Sequence, residues 1–554
     1  MLLPLLGVAL LAQGPGPSLT ANVDDPMSHG AVGDGFLSLD EAIRLANGAL
    51  AIGSLSAAEQ ARLVGTGTIV ETIAVDASTT PTITLQAPLS SVMGSGMMGG
   101  GMTGPRLSIL GSGMPGLAWP VIAAGSQPRV FTLRAHNVTI GGFRIVGGQV
   151  GIDVQMPPMG MPMAEMSMVM DCELDGQTTA GVHLHGTGSD ESMLMVMNTN
   201  LRNMPLGFQL TDQTNGGQLM AECEFLTMDG VSKGCRVDEG GSNGLSMFML
   251  FRSTFANGQK LAEARRMPGN KQFMFRIVHC DVHCTGDVLD IEGSATGLTM
   301  VHHHHSDFVA GPGNKAFWVW PRTAEFDVHG SEMEFTGDVS IAVNLATLRV
   351  WQQNNHYMNS TITLDVDGAL PNLLWNRYTN CTIDVPASAR SPVRIRSSEL
   401  SNTNVQSASF LAPITLQGCQ RIGGAMTGFA TETTPAPAAF LGTTDVSPTN
   451  PQIGTSLTLS CDLPFGIGLV WDIALSYARP TTTLEPVRFY GDPSTVIVLP
   501  AVMLFQSQLT LPLPNDASLV GIEFYVQGIS LPLLGQTYMP AYHLPRGSLL
   551  TLRL

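Results

Sequence analysis

One short phrase, returning along the middle of the chain, constrains the fold more than any other feature. It runs through an apolar stretch, a polar residue, a small residue, a second polar residue and an apolar anchor. Copies are Asp171-Cys172-Glu173-Leu174, Asn198-Thr199-Asn200-Leu201, Glu222-Cys223-Glu224-Phe225, Arg252-Ser253-Thr254-Phe255 and His279-Cys280-Asp281-Val282. His305-Ser306-Asp307-Phe308, Gly330-Ser331-Glu332-Met333, Asn354-Asn355-His356-Tyr357, Asn380-Cys381-Thr382-Ile383 and Ser397-Ser398-Glu399-Leu400 continue it. The anchors follow one another at 27, 24, 30, 27, 26, 25, 24, 26 and 17 residues. A phrase with such a period marks a chain of stacked coils, each burying its apolar face against its neighbours.

Alternation inside the phrase predicts strands. The anchor and the small residue two before it face one way, and the polar residues face the other. A second strand recurs as Val182/Leu184, Phe208/Leu210, Cys235/Val237, Leu289/Ile291, Phe317/Val319 and Ile341/Val343. Two or more strands in about 25 residues, with Gly and Asn at the corners, predict a parallel β-helix. Ahead of the repeats, Ser38 and Glu41 have capping-box spacing, and Leu39, Ala42, Ile43 and Ala46 share one helical face. This helix is expected to cover the open end of the coils.

The repeats resemble the right-handed parallel β-helix superfamily, which includes pectate lyases, polygalacturonases and surface adhesins. Gly33-Asp34-Gly35 followed by Ser38-Leu39-Asp40-Glu41-Ala42-Ile43 resembles the N-terminal cap phrase of its exported bacterial members. The resemblance implies an all-β, right-handed, single-stranded parallel β-helix with an N-terminal helical cap over residues 20–430. It implies no single activity, because members of this fold differ in what their outer faces do.

The expected organisation has further parts. Residues 1–19 read as a leader: Met1–Ala12 is apolar and uncharged but lacks a basic start, and is too short to span a bilayer. Residues 431–444 form a Pro/Thr linker. Residues 445–554, with short alternating strands and turns such as Leu513-Pro514-Asn515-Asp516, are expected to form a small β-sandwich. A secreted or cell-surface location follows from the leader. The balance of 44 acidic against 27 basic residues disfavours nucleic acid and anionic membranes as partners. Eight cysteines could form disulfides, with Cys280 and Cys284 the nearest candidates. Their recurrence at inward positions instead favours free, buried thiols.

Equivalent outward positions on stacked coils form surface columns. Aligning the phrases places Glu173, Asn200, Glu224, Thr254, Asp281, Asp307, Glu332 and His356 in one column, beside Asp171, Asn198, Glu222, Arg252, His279 and His305. Paired carboxylates there could cleave glycosidic bonds by general acid and base chemistry, with Asp281, Asp307 and Glu224 as candidate catalytic residues. They could also hold Ca²⁺ through oxygen ligands. Glu222, Glu332, Arg252 and Trp318 are the candidate binding residues. The plainer account is that any outward column is polar for solubility. Neither a complete polygalacturonase-type set nor a basic cluster of the lyase type is present.

The run His302-His303-His304-His305 suggests a transition-metal site of His279, His303 and His305, binding Zn²⁺ or Cu²⁺ with a neighbouring Asp, or a histidine ladder without metal. The methionine clusters Met93–Met102 and Met156–Met170 read as adaptable apolar coverings, with Cu(I) binding as the alternative. The sequence therefore supports a glycan-binding, structural or adhesive β-helix protein first. A polysaccharide-degrading lyase or glycoside hydrolase is the alternative.

Overall fold

The computed structural model describes residues 18–432, apart from 29–31, 94–106, 113–118, 135–136, 156–166, 189–190, 240–242, 265–271, 293–297, 320–324, 345–348, 369–370 and the single positions 332, 354, 375, 397 and 418. Beyond 432 it describes 444–447, 455–461, 469–471, 474–475, 497–498, 502–504, 508–512, 523–526, 529–530 and 548–551. The chain divides into two units, Met1–Val301 with Val309–Phe326, and His302–Phe308 with Asp327–Leu554.

In the first unit each coil supplies three strand segments that pair in parallel with the coils on either side. The segments Glu173–Asp175, Ala180–Gly188 and Glu191–Met197 form one coil, and the next coil's long strand Asn200–Glu224 pairs with all three. The anchors Leu174, Leu201, Met228, Phe255 and Val282 lie in register, one full coil apart at every step. The architecture is a parallel β-helix, in keeping with the right-handed class expected from the sequence.

The period depends on a corner. Asp171, Asn198, Phe225, Arg252 and His279 all have left-handed backbone, with φ between 45 and 56°. Each is followed by a fully inward residue: Cys172, Thr199, Leu226, Ser253 and Cys280. Where this residue carries a hydroxyl, it satisfies the corner's backbone. Ser253 Oγ donates to Phe251 O at 2.6 Å and accepts from Leu226 N of the preceding coil at 3.0 Å. A second corner repeats at Gly176, Asn203, Gly230 and Asn257, all at positive φ. Asn203 Nδ2 and Asn257 Nδ2 donate to Asp175 and Asp229 at 2.9 and 2.7 Å.

This register corrects the phrase alignment in three places. Glu222-Cys223-Glu224-Phe225 lies three residues early, on the strand leading into the corner. Cys223 pairs with Val196 and Leu250, and the residue in line with Asn200 and Thr254 is Thr227. In the second unit the anchors are Phe335, Tyr357, Tyr378 and Leu400, so Phe335 rather than Met333 belongs with Tyr357. Ile383 belongs to a different strand, with Ile362 and Val405. The short final interval, from Ile383 to Leu400, came from mixing two faces. In that unit Asn359, Asn380 and Asn402 form a left-handed corner of their own, and their side-chain amides are hydrogen-bonded in series at 3.2 and 3.4 Å.

The cores are apolar and stacked. Phe208, Phe248 and Phe275 pack with ring centroids 5.3 Å apart at each step. In the second unit Phe335, Tyr357 and Tyr378 stack nearly parallel at 5.0 and 5.1 Å. Cys172, Cys223, Cys235, Cys280, Cys284, Cys381 and Cys419 are buried thiols outside any disulfide. Burial pushes the thiols of Cys172, Cys280 and Cys284 up to about 12.

The helix Leu39–Ala46 forms as expected, with Glu41 N donating to Ser38 Oγ at 3.2 Å and Ser38 N donating to Glu41 Oε2 at 2.9 Å. Its apolar face packs on the first parallel pair, Ser18–Val23 with Ile69–Val75. Ser18 and Leu19, at the end of the expected leader, already belong to that strand. The rest of the leader falls outside the described residues. After Glu432 the described strands pair antiparallel, as in Thr444–Ser447 with Ser456–Cys461 and the latter with Gln508–Pro512. Most of the linker and of the expected sandwich lies outside the described residues, as do most of both methionine clusters.

Candidate functional site

Between the inward pairs of the second strand lies a position that faces out. Inward, Phe131, Ile152, Val182, Phe208, Cys235, Ala262 and Leu289 line up rung by rung, as do Leu133, Val154, Leu184, Leu210, Val237, Ala264 and Ile291. The residue between each pair forms the outward column Thr132, Asp153, His183, Gln209, Arg236, Glu263, Asp290 and Trp318. Beside it runs a shorter column of Gln155, His185, Thr211 and Asp238. With coils about 4.8 Å apart, the six steps from Asp153 to Trp318 span roughly 29 Å.

At one end, Asp153 is fully buried by its partners. Its Oδ1 lies 2.8 Å from His185 Nε2 and 3.3 Å from His183 Nδ1. Its Oδ2 accepts from Arg129 Nε at 2.9 Å and from Gln155 Nε2 at 2.6 Å. Burial alone would raise this carboxyl. Hydrogen bonds from His183 and His185, with the charges of His185 and Arg129, outweigh burial and hold it well below the usual carboxylate range. The two imidazoles lie 3.5 Å apart between ring centroids, and His183 Nε2 is 2.9 Å from Thr211 Oγ1.

Further along, Asp238 accepts from Gln209 Nε2 at 2.9 Å and Arg236 Nε at 2.7 Å. Lys260 Nζ bridges Asp290 at 2.7 Å and Glu263 at 3.4 Å, and Lys233 is paired to Glu263 as well. Burial raises the Glu263 carboxyl, but the Lys233 hydrogen bond and both lysine charges win and lower it. At the far end Lys315 Nζ sits 4.0 Å from the Trp318 ring centroid, at cation–π distance. Asp153 and Glu263 are thus held ionised by their own partners and are poor proton donors.

A second outward face differs in character. Met193, Met220, Met247 and Met274 stack in one column over four coils. Alongside, Met168, Met195, Glu222, Met249 and Arg276 form another, and Met170, Met197, Glu224 and Phe251 a third. Glu222 is therefore sandwiched between Met195 and Met249. Burial among them, followed by repulsion from Glu224, raises its carboxyl, with Arg276 opposing. Glu224 is paired to Arg252 Nη1 at 2.8 Å, and Arg276 packs 5.1 Å from the centroid of Phe251.

The structure distributes the sequence-predicted residues over several places. Glu222 and Glu224 share the methionine face, with Arg252 at the adjoining corner. Asp281 shares its column with Glu173, Asn200, Thr227 and Thr254, so in that stretch the expected acidic strip is carboxylate only at its ends. Asp281 is exposed and lies 2.8 Å from His283 Nε2. His279 and His305 occupy left-handed corners in the first and second units. His303 points inward: it is fully buried, 6.1 and 5.8 Å from the rings of Phe308 and Phe335, with Nε2 3.4 Å from Gln352 Oε1. His303 is thus on the inner face while His305 turns the corner. Asp307, in the second unit, is half-buried, and Glu332 lies outside the described residues. Trp318 stands on the Asp153 face. Asp153, His183, His185, Gln209, Arg236 and Glu263 are not among the residues the sequence singles out, although the apolar pairs it shows flank His183, Gln209 and Arg236. The signal lay in the middle residue of each pair.

No family model matches the chain, and no curated protein matches it. Among solved structures it is similar to the tailspike protein gp49 from Acinetobacter baumannii bacteriophage Fri1, a capsular polysaccharide depolymerase, at 10% identity over 85% of this chain and 73% of that one, with a TM-score of 0.21. That likeness carries no weight for the activity of this chain. Its own coils, in parallel register rung after rung, place it among proteins of the parallel β-helix fold.

Proposed function

We propose that this chain is a glycan-binding parallel β-helix protein, presented outside the cell, that holds a linear polysaccharide along the face from Asp153 to Trp318. The observation that carries the reading is the unbroken outward column of hydrogen-bonding side chains on successive coils, ending in an indole. The imidazole of His183, the amide of Gln209 and the guanidinium of Arg236, flanked by carboxylates on either side, suit a polymer rich in hydroxyl groups, and Trp318 offers a flat apolar surface to a sugar ring. Affinity electrophoresis against acidic and neutral polysaccharides tests this. Trp318→Ala and Gln209→Ala are each expected to weaken binding on the order of tenfold, about 1.4 kcal/mol. Retention of every polysaccharide unchanged in both variants would refute the assignment of the face.

A second reading rests on Glu222 and Glu224. Two carboxylates on one strand face, one of them raised by burial, form the kind of pair that divides acid and base roles in glycoside cleavage. Here Glu222 would protonate the leaving oxygen, and Glu224 would act as base or nucleophile. Reducing-end release from a polysaccharide panel, abolished by Glu222→Gln and by Glu224→Gln, would establish it. Turnover that survives both but is lost in Asp281→Ala or Asp307→Ala would move the catalytic centre to those residues.

A further inference from the structure

We infer that Asp153, His183 and His185 form a binding site for one divalent transition-metal cation of the Zn²⁺ class. Among the described residues they are the one set of three whose donor atoms all lie within 4.8 Å of one another. The site is built by register. His183 and His185 are two apart on the strand Ala180–Gly188 and so share its outer face, and Asp153 pairs directly with His183 from the preceding coil. Both imidazole nitrogens approach the same carboxylate oxygen, at 2.8 and 3.3 Å. Those separations match the edges of a ligand polyhedron with metal bonds of about 2.0–2.2 Å.

The surrounding groups orient the donors as outer partners do in metal sites. Thr211 Oγ1 lies 2.9 Å from His183 Nε2. In the tautomer that donates Nε2–H to this hydroxyl, Nδ1 presents its lone pair to the shared point. Arg129 and Gln155 occupy the other carboxylate oxygen, Oδ2, and leave Oδ1 to face the imidazoles. Burial of Asp153 keeps the carboxylate from turning to solvent. Two nitrogens and one oxygen suit Zn²⁺ and its neighbours, whereas Ca²⁺ takes six to eight oxygens. Three protein ligands leave a coordination position for water or a hydroxyl of a bound molecule. The cation site differs from the expected set of His279, His303 and His305, and it stands whether or not the face binds a glycan.

The test is metal titration of the full chain after chelator treatment, followed by calorimetry with Zn²⁺ and by the visible absorption of Co²⁺. One equivalent is expected to bind, with a Co²⁺ spectrum of low coordination number. His183→Ala and His185→Ala are expected to weaken binding by more than the roughly 10–100-fold that loss of an outer partner costs. His283→Ala, in the exposed pair with Asp281, is expected to bind as the unaltered chain does. Far-UV circular dichroism and the unfolding midpoint of each variant separate loss of ligand from loss of fold. Asp153→Asn, which keeps the shape of the side chain, provides a further variant. Absence of stoichiometric binding in the unaltered chain overturns the inference, as does unchanged affinity in any folded variant of the three ligands.

Discussion

Replacing Asp153 with Asn tests whether this carboxylate organises the face around it. Asp153 is fully buried, with Gln155, His185 and Arg129 at 2.6, 2.8 and 2.9 Å and His183 more distant at 3.3 Å. Hydrogen bonds to a charged group contribute roughly 1.5–3 kcal/mol each before the cost of burying the charge. Breaking a buried ion pair typically costs about 3–5 kcal/mol. Arg129 is 44% exposed and His185 25% exposed, so both regain water when the charge is removed, and Asn retains one acceptor. The expected loss is about 2–4 kcal/mol.

The pH dependence has a definite sign. The folded carboxyl lies below the unfolded value of about 3.9, so its stabilisation is complete above that pH and is lost as the pH falls toward the folded value. The gap between the unaltered chain and Asp153→Asn should therefore narrow below about pH 4. Amide hydrogen exchange in Val150–Gln155 and Ala180–Gly188 reads the local opening energy directly. A loss below about 0.5 kcal/mol at neutral pH, the range of an ordinary surface change, or a gap that widens as the pH falls below about 4, would refute the reasoning.

Tyr357→Ala removes a ring stacked on both sides by Phe335 and Tyr378, and is expected to cost about 3–5 kcal/mol in denaturant unfolding. Tyr357→Phe keeps the stack and loses the bonds to Gln352 and Asn355, so about 1 kcal/mol is expected. Phe225→Asn puts a tolerant residue at φ 53° and should recover part of the about 1–2 kcal/mol of left-handed strain, less the contact with Arg252; a lower unfolding midpoint would contradict this. The thiols of Cys172, Cys223, Cys235, Cys280 and Cys284, raised by burial, are expected to resist iodoacetamide at neutral pH until the chain unfolds, as peptide mass spectrometry would show.

The inward half of the molecule was legible because burial writes itself into residue type. Cys172, Thr199, Ser253 and Cys280 are small where the corner is tight, and Val182/Leu184 or Phe208/Leu210 are apolar where a strand faces the core. Phe225 obscured the register: the corner favours Asn, Asp or Gly, so a phenylalanine there gives no corner signal. The neighbouring Glu222-Cys223-Glu224 imitates the phrase three residues early. His303 misled for a related reason. Its neighbours are histidines too, and residue type alone does not distinguish the inner from the outer faces of a polar run.

The sequence by itself determined a stack of β coils, a helical cap at one end and buried thiols in the core, because each follows from local alternation, capping chemistry or small inward residues. Only the tertiary structure decided which outward residues meet. Alternation fixes the face on which a side chain stands, whereas its neighbours on that face depend on how successive coils pair. Asp153 and His183 are remote from each other along the chain and directly opposite in the sheet. The candidate site exists because of that register.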